Sequence, residues 1–306
     1  NGLIVDKERG YVLVDRNTVP IAIGDVTITF AGSLEVRGKI EQLHPLHNFA
    51  IVSYDPVSIG STPVREAQFN TRQLKPGDDV WVVGIKADHQ LLHQKSTVSS
   101  VDPLLLPLSR TLRFRDSNIE GVSLVNAPND VDGVLVDAKG RVAATWSSFM
   151  VQPGGDAAQV NRGVGSELVK QFVETVREGR PFYSLEAEFV YAPLFAARKM
   201  GVDEEWIARL EENNPVRRRA LSITRLVAGT PASKLLRNGD MVLAVEGDVV
   251  TSYRELEEAV QKPEVEVTVW RNDEVHEITV ETAALDGYGI DRAISWAGAL
   301  LQTPHR

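Results

Sequence analysis

The chain has 306 residues, enough for about two domains that each bury a core. Its 43% hydrophobic and 25% charged residues are ordinary for a globular protein. With 33 Lys+Arg against 42 Asp+Glu, the net charge of −9 argues against wrapping nucleic acid or lying on an anionic membrane. The absence of cysteine removes disulfides, thiolate nucleophiles and cysteine-ligated zinc, without fixing the compartment. No apolar run approaches the ~20 residues of a spanning helix, and no basic-then-apolar leader opens the chain. The opening Gly2-Leu3-Ile4-Val5 already reads as a strand, so the expectation is a piece of something longer.

Residues 1 to about 162 read as many short strands. Ile4-Val5 and Tyr11 to Val14 flank the turn-like Lys7-Glu8-Arg9-Gly10. Val26 to Phe30 alternates as a half-buried strand does, and Ala50-Ile51-Val52, Val80 to Val83 and Val134-Leu135-Val136 are compact apolar runs. Strands at this density predict an antiparallel barrel or sandwich. Leu168, Val169, Phe172, Val173 and Val176 then recur at helical spacing, with Gly179 as a stop before Arg180-Pro181, the expected domain junction.

The second half mixes helices and strands. Ala192 to Met200 and Glu204 to Asn213 read as helical, with Asp203-Glu204-Glu205 capping the latter. Ala220 to Val227 and Met241 to Val245 read as strands and Tyr253 to Gln261 as a helix. Val265 to Trp270 and Val275 to Thr282 alternate around Arg271-Asn272-Asp273-Glu274, a hairpin. The residues from Trp296 to Arg306 read as the opening of a further unit.

One stretch carries a specific pattern: Gly229-Thr230-Pro231-Ala232-Ser233-Lys234-Leu235-Leu236-Arg237-Asn238-Gly239-Asp240, followed by Met241 to Gly247 and then Val250, Tyr253, Leu256 and Val260. Pro231-Ala232 can start a short helix, Gly239 a tight turn, and Asp240 can bond that turn's backbone. This run is similar to the PDZ signature of HtrA proteases. PDZ domains bind peptide ends by strand addition, with loop N–H groups holding the carboxylate. The resemblance places that loop at Tyr183-Ser184-Leu185 and the groove helix at Tyr253, Leu256 and Val260. The family's loop glycine is missing, and Glu186 and Glu188 bring negative charge. The expectation is a PDZ-like fold with a blunted groove, with peptide capture at these six residues as the other reading.

The first half carries a second resemblance. Gly2 to Asp6 followed by Gly10 to Val14 is similar to the opening hairpin of the trypsin-like HtrA protease domain. Asn17 then stands at the position of the catalytic histidine, and Asn is no general base near neutral pH. In His47-Asn48-Phe49-Ala50-Ile51-Val52, Asn48 takes the place of the triad aspartate. In Asn126-Ala127-Pro128-Asn129-Asp130-Val131-Asp132-Gly133-Val134-Leu135-Val136, Val131 stands where the nucleophilic serine belongs. Asp130 and Asp132 would repel a developing oxyanion. Three losses in three registers imply a pseudoprotease with no catalytic residue in this chain.

Other chemistry-bearing residues have blander readings. Ser123 lies in an alternating strand. His44 and His47 flank Pro45-Leu46 and read as loop histidines, as do His89 and His93, since neither pair has a third ligand in sequence. Arg217-Arg218-Arg219 reads as a solvated turn.

The predicted fold is thus mainly β with an α+β second domain: a trypsin-like double β-barrel over 1–180, a PDZ-like domain over 181–288, and a linker with the start of a further PDZ-like domain over 289–306. The whole resembles the C-terminal half of fungal nuclear HtrA-type, pro-apoptotic serine proteases with tandem protease/PDZ repeats. That resemblance implies a regulatory, assembly or substrate-binding half, no cofactor, no metal, no nucleic acid and no membrane. It also implies an N-terminal catalytic half of the same protein and protein or peptide ligands as partners. The parent would be a nuclear endopeptidase (the cytoplasm being the other reading) with roles in apoptosis, lipid homeostasis and heat survival. The alternative is a chaperone-like peptide-binding module with no link to proteolysis. A monomer or weak dimer is expected.

Overall fold

The computed structural model describes residues 1–86, 88, 90–104, 117–128, 131–151, 158–288, 290 and 292–302. The chain divides into two compact units, one of residues 1–180 with 286–306, the other of residues 181–285.

The first unit opens with β1 (Leu3–Asp6), β2 (Tyr11–Val14), β3 (Val26–Phe30), β4 (Leu34–Leu43) and β5 (Ala50–Tyr54). They form one antiparallel sheet in the order β1-β2-β5-β4-β3. β5 is central and covered on both faces, since the consecutive residues Ala50, Ile51 and Val52 are all buried. This sheet does not close on itself by strand pairing among the described residues. An extended segment takes the free edge of β1 instead: Ala67 donates its N–H to Ile4 O at 2.8 Å. The same segment then bonds Val142, which donates to Gln68 O at 2.7 Å and accepts from Asn70 N at 2.8 Å.

Six strands follow: β6 (Asp79–Lys86), β7 (Leu91–Pro103), β8 (Glu120–Leu124), β9 (Val131–Val136), β10 (Val142–Val151) and β11 (Ala158–Gly165). They close into a barrel in the order β10-β11-β8-β7-β6-β9. Val80, Val82, Val122, Leu135 and Trp146 fill it. Closure brings β6 and β9 unusually near one another at Gly84 and Gly133, which pair directly. A Cβ on Gly133 would lie 2.1 Å from Val83 O, so only glycine fits there.

Helix α1 (Ser166–Glu178) ends on Gly179 with φ 63°, the left-handed stop its sequence announced. Leu168, Val169, Phe172 and Val173 form its buried face.

In the second unit, β12 (Phe182–Ser184) precedes β13 (Ala187–Pro193), α2 (Leu194–Lys199), α3 (Glu204–Asn213) and β14 (Arg219–Leu226). Then come α4 (Ala232–Leu235), β15 (Met241–Val245), β16 (Asp248–Val249), α5 (Tyr253–Ala259), β17 (Glu264–Arg271), β18 (Glu274–Glu281) and β19 (Ala283–Leu285). The main sheet runs β13-β14-β15-β17-β18, which leaves β13 at an edge, and β12 pairs with β19. The Asn272 and Asp273 backbones have φ 51° and 64°, the left-handed pair a tight hairpin turn requires. Asp240 does what its motif suggested: it accepts the Arg237 N–H at 2.8 Å and also holds the Arg271 guanidinium. Beyond this unit, β20 (Ala293–Trp296) and β21 (Ala299–Gln302) form an isolated hairpin.

Candidate functional site: the crevice of the first unit and the edge groove of the second

The loops that carry Asn17 and Asn48 are held by structural hydrogen bonds. Asn17 is exposed in the turn after β2. That turn is built by Asp15, whose carboxylate accepts from Thr18 N at 2.9 Å and Thr18 Oγ1 at 2.8 Å. Asn48, buried before β5, spends its Oδ1 on the Arg16 main-chain N–H at 2.8 Å. Arg16 reaches further, donating from Nη1 to His44 O at 3.0 Å. The two loops are therefore tied through Arg16. Val131 is 3% exposed and belongs to the barrel's apolar cluster at the first residue of β9. Its side chain is core, and its carbonyl accepts from Asn161 Nδ2 at 3.2 Å.

A crevice of about 250 Å³ opens within this unit, walled by β1 and β2 on one side and by β6, β9 and β10 on the other. Asn48, Gly133, Asp15, Asp132, Thr145 and Ser147 line it together with a mostly apolar wall. No histidine lines it among the described residues. Hydroxyls and carboxylates are present, but the imidazole that would move a proton between them is not. Burial in the crevice, and then the charge of Asp15, raise the Asp132 carboxyl above the ordinary carboxylate value, against a Ser148 main-chain N–H that lowers it. The Asn1 side-chain amide also enters, donating to Ile85 O at 3.0 Å and Asp132 O at 2.8 Å.

His44 and His47 lie in the loop between β4 and β5, as expected, but are buried, being 3% and 1% exposed. His44 Nδ1 accepts the N–H of Leu46 at 3.1 Å and of His47 at 3.0 Å, and its ring lies 5.0 Å from that of Phe172. Ser123 sits on β8, paired with Ser100. His93 lies on β7, paired with Val83. His89, Asn129 and Asp130 lie outside the described residues. Of the three arginines expected in a solvated turn, Arg219 is buried, its guanidinium 3.3 Å from the centre of the Tyr191 ring.

In the second unit, Tyr183 and Ser184 lie on β12, Leu185 just after it, Tyr253 and Leu256 on α5, and Val260 at its end. Leu185, Tyr253, Leu256 and Val260 share one buried apolar cluster. Glu186 keeps φ 53°, a left-handed backbone where a glycine is the easier residue. The edge strand β13 is where an added strand would pair. There the Tyr253 hydroxyl donates to Phe189 O at 3.1 Å, and its ring stacks on Tyr191 at 4.2 Å. Gln261 occupies the backbone of Tyr183, accepting from its N–H at 3.2 Å and donating to its carbonyl at 2.8 Å. Sequence reasoning had no signal for Tyr191 or Gln261, since neither belongs to the motif.

No protein-family model matches the chain. Solved structures do: the HtrA-type protease AlgW with tripeptide aligns over 93% of this chain and 88% of its own, with TM-score 0.62 at 15% identity. The serine endoprotease from Yersinia pestis aligns over 93% and 88%, with TM-score 0.52 at 16% identity. This is the HtrA protease fold. Curated relatives extend the match to sequence. "Pro-apoptotic serine protease NMA111" of Yarrowia lipolytica is 32% identical over 315 residues, covering 100% of this chain and 32% of its own length. "Protease Do-like 7" of Arabidopsis thaliana is 31% identical over 341 residues, covering 99% and 31%. The chain is homologous from end to end to these serine proteases and spans about a third of their length.

Proposed function

We propose that this chain is a non-catalytic half of an HtrA-type serine protease, a protease-like unit followed by a PDZ-like unit, with a regulatory, assembly or substrate-binding role. One observation carries the reading. Asn17, Asn48 and Val131 present a solvent-facing amide, an amide committed to Arg16 N–H, and a methyl-bearing core side chain. None can take up a proton or attack, and the Asn48 oxygen that could orient an imidazole accepts the Arg16 N–H instead. The named relatives are serine proteases about three times as long, so the catalysis is assigned to the parent protein outside this chain. The parent's nuclear location and its part in apoptosis, lipid homeostasis and heat survival are carried over by that resemblance. The edge groove, closed by Tyr253, favours packing against other domains over capture of peptide ends.

The test compares peptide cleavage by the N-terminal half of the parent alone and with this chain added in trans. A change in rate, with no hydrolysis by this chain alone, is the expected outcome. Hydrolysis by this chain alone would end the reading.

A further inference from the structure

The proposal concerns the crevice of the first unit and rests on its being non-catalytic. Leu3, Leu13, Phe49, Val83, Ile85 and Trp146 give it an apolar wall. Its volume of about 250 Å³ suits one large side chain with part of its flanking backbone, not a whole domain. Into this wall are set two carboxylates, Asp15 and Asp132. Among the described residues neither forms an ion pair with a lysine or arginine side chain, and the Asn1 terminal ammonium is the cation that acts on Asp132. Asp132 directly follows Val131, so the carboxylate and the residue that stands at the expected nucleophile position come from one strand, β9.

The crevice also shows how a peptide would be held. The Ile85 and Asp132 carbonyls, on the paired strands β6 and β9, both accept from the primary amide of Asn1. A peptide N–H placed there meets the same two acceptors. The Trp146 indole N–H, buried in the wall, has no acceptor among the described residues. Apolar wall, paired acceptors and two carboxylates together fit a group with an aliphatic stem and a cationic head.

We infer that this crevice is a binding site for an extended peptide segment that inserts a lysine or arginine side chain, its stem against the apolar wall and its charge between Asp15 and Asp132. No bond is made or broken, and the peptide leaves intact.

The experiment uses the full chain and three fluorescein-labelled pentapeptides of one sequence, with lysine, norleucine or glutamate at the centre, followed by anisotropy. The lysine peptide should bind about tenfold more tightly than the norleucine peptide, and the glutamate peptide least well. Asp132→Asn should erase most of the lysine preference and Asp132→Lys should turn it toward glutamate. Asp15→Asn, which keeps the turn-capping oxygen, should reduce the preference with the fold intact, as checked by thermal melting. Equal binding of the lysine and norleucine peptides, no binding of any, or an Asp132→Lys protein that still prefers lysine would overturn the inference. Mass spectrometry of the peptides separates this from the underlying reading: intact but unbound peptides remove only the cation site, whereas cleaved peptides remove the non-catalytic assignment itself.

Discussion

Asn48 holds the main-chain N–H of Arg16 at 2.8 Å, and through it the loop after β2 is tied to the loop before β5. The asparagine oxygen serves the backbone, and Arg16 fills the space behind with its bond to His44 O. The scaffold of the crevice is thus maintained by contacts that need no imidazole. Asn48→Ala should leave the Arg16 N–H buried without its acceptor and cost about 1–3 kcal/mol in urea unfolding of the first unit.

Restoring a nucleophile should fail. Val131→Ser places a hydroxyl in the apolar cluster of the barrel and removes two methyl groups from it. We expect a loss of about 1–3 kcal/mol and no hydrolysis of an activated ester, even when combined with Asn17→His and Asn48→Asp. Ester turnover by the triple variant above that of the unaltered chain would show that only three side chains separate this crevice from catalysis.

The groove of the second unit makes its own prediction. Tyr253→Phe keeps the ring stack on Tyr191 but removes the hydroxyl that caps Phe189 O. Stability should fall by roughly 1 kcal/mol, and backbone amides of β13 should exchange faster with deuterium. Unchanged exchange would mean that this hydroxyl does not close the edge.

Helix α1 is anchored to the first hairpin by charge. Arg177 Nε donates to Asp6 Oδ2 at 2.7 Å, and Arg9 donates to the same carboxylate. Burial opposes ionisation of Asp6, but the Arg9 N–H groups and the Arg177 charge outweigh it and hold its pKa below the ordinary value of 3.8. The folded-state pKa is therefore depressed. Its stabilisation is fully present above the unfolded value and drains away as pH falls through the folded one. Asp6→Asn should cost roughly 2 kcal/mol at neutral pH and progressively less under acid, read from melting curves across pH 7 to 2.

The sequence announced those parts of the fold in which one local signal suffices. Gly179 after the apolar stripe of α1, and Asn272-Asp273 between two alternating runs, each ask for a left-handed backbone, and each has one. The long strand β4 was not singled out from sequence: Leu34, Val36 and Ile40 alternate with charged residues, but Gly38 interrupts the apolar set. Gly38 is there for a reason visible only in three dimensions: a Cβ would meet Ser53 O at 2.9 Å. Also not legible was how the first sheet is completed: among the described residues the edge of β1 is taken by residues near Ala67, not by another strand of its sheet.

Asn17, Asn48 and Val131 were singled out in sequence because the flanking glycines and apolar residues suggest a frame, and Gly133 is indeed fixed by its approach to Val83. The acidic character of the crevice was only half readable. Asp132 lies in the motif, but Asp15 belongs to a turn more than a hundred residues earlier and joins it only when β2 packs opposite β9. The burial of the loop residues His44 and His47 was not legible, because Phe172, which helps bury His44, comes from a helix far along the chain.

The most direct test of the account is labelling of the purified chain with a fluorophosphonate probe, beside an active HtrA protease. The account predicts no covalent adduct on this chain by intact mass while the active enzyme is modified. A stoichiometric adduct on any serine of this chain would contradict it.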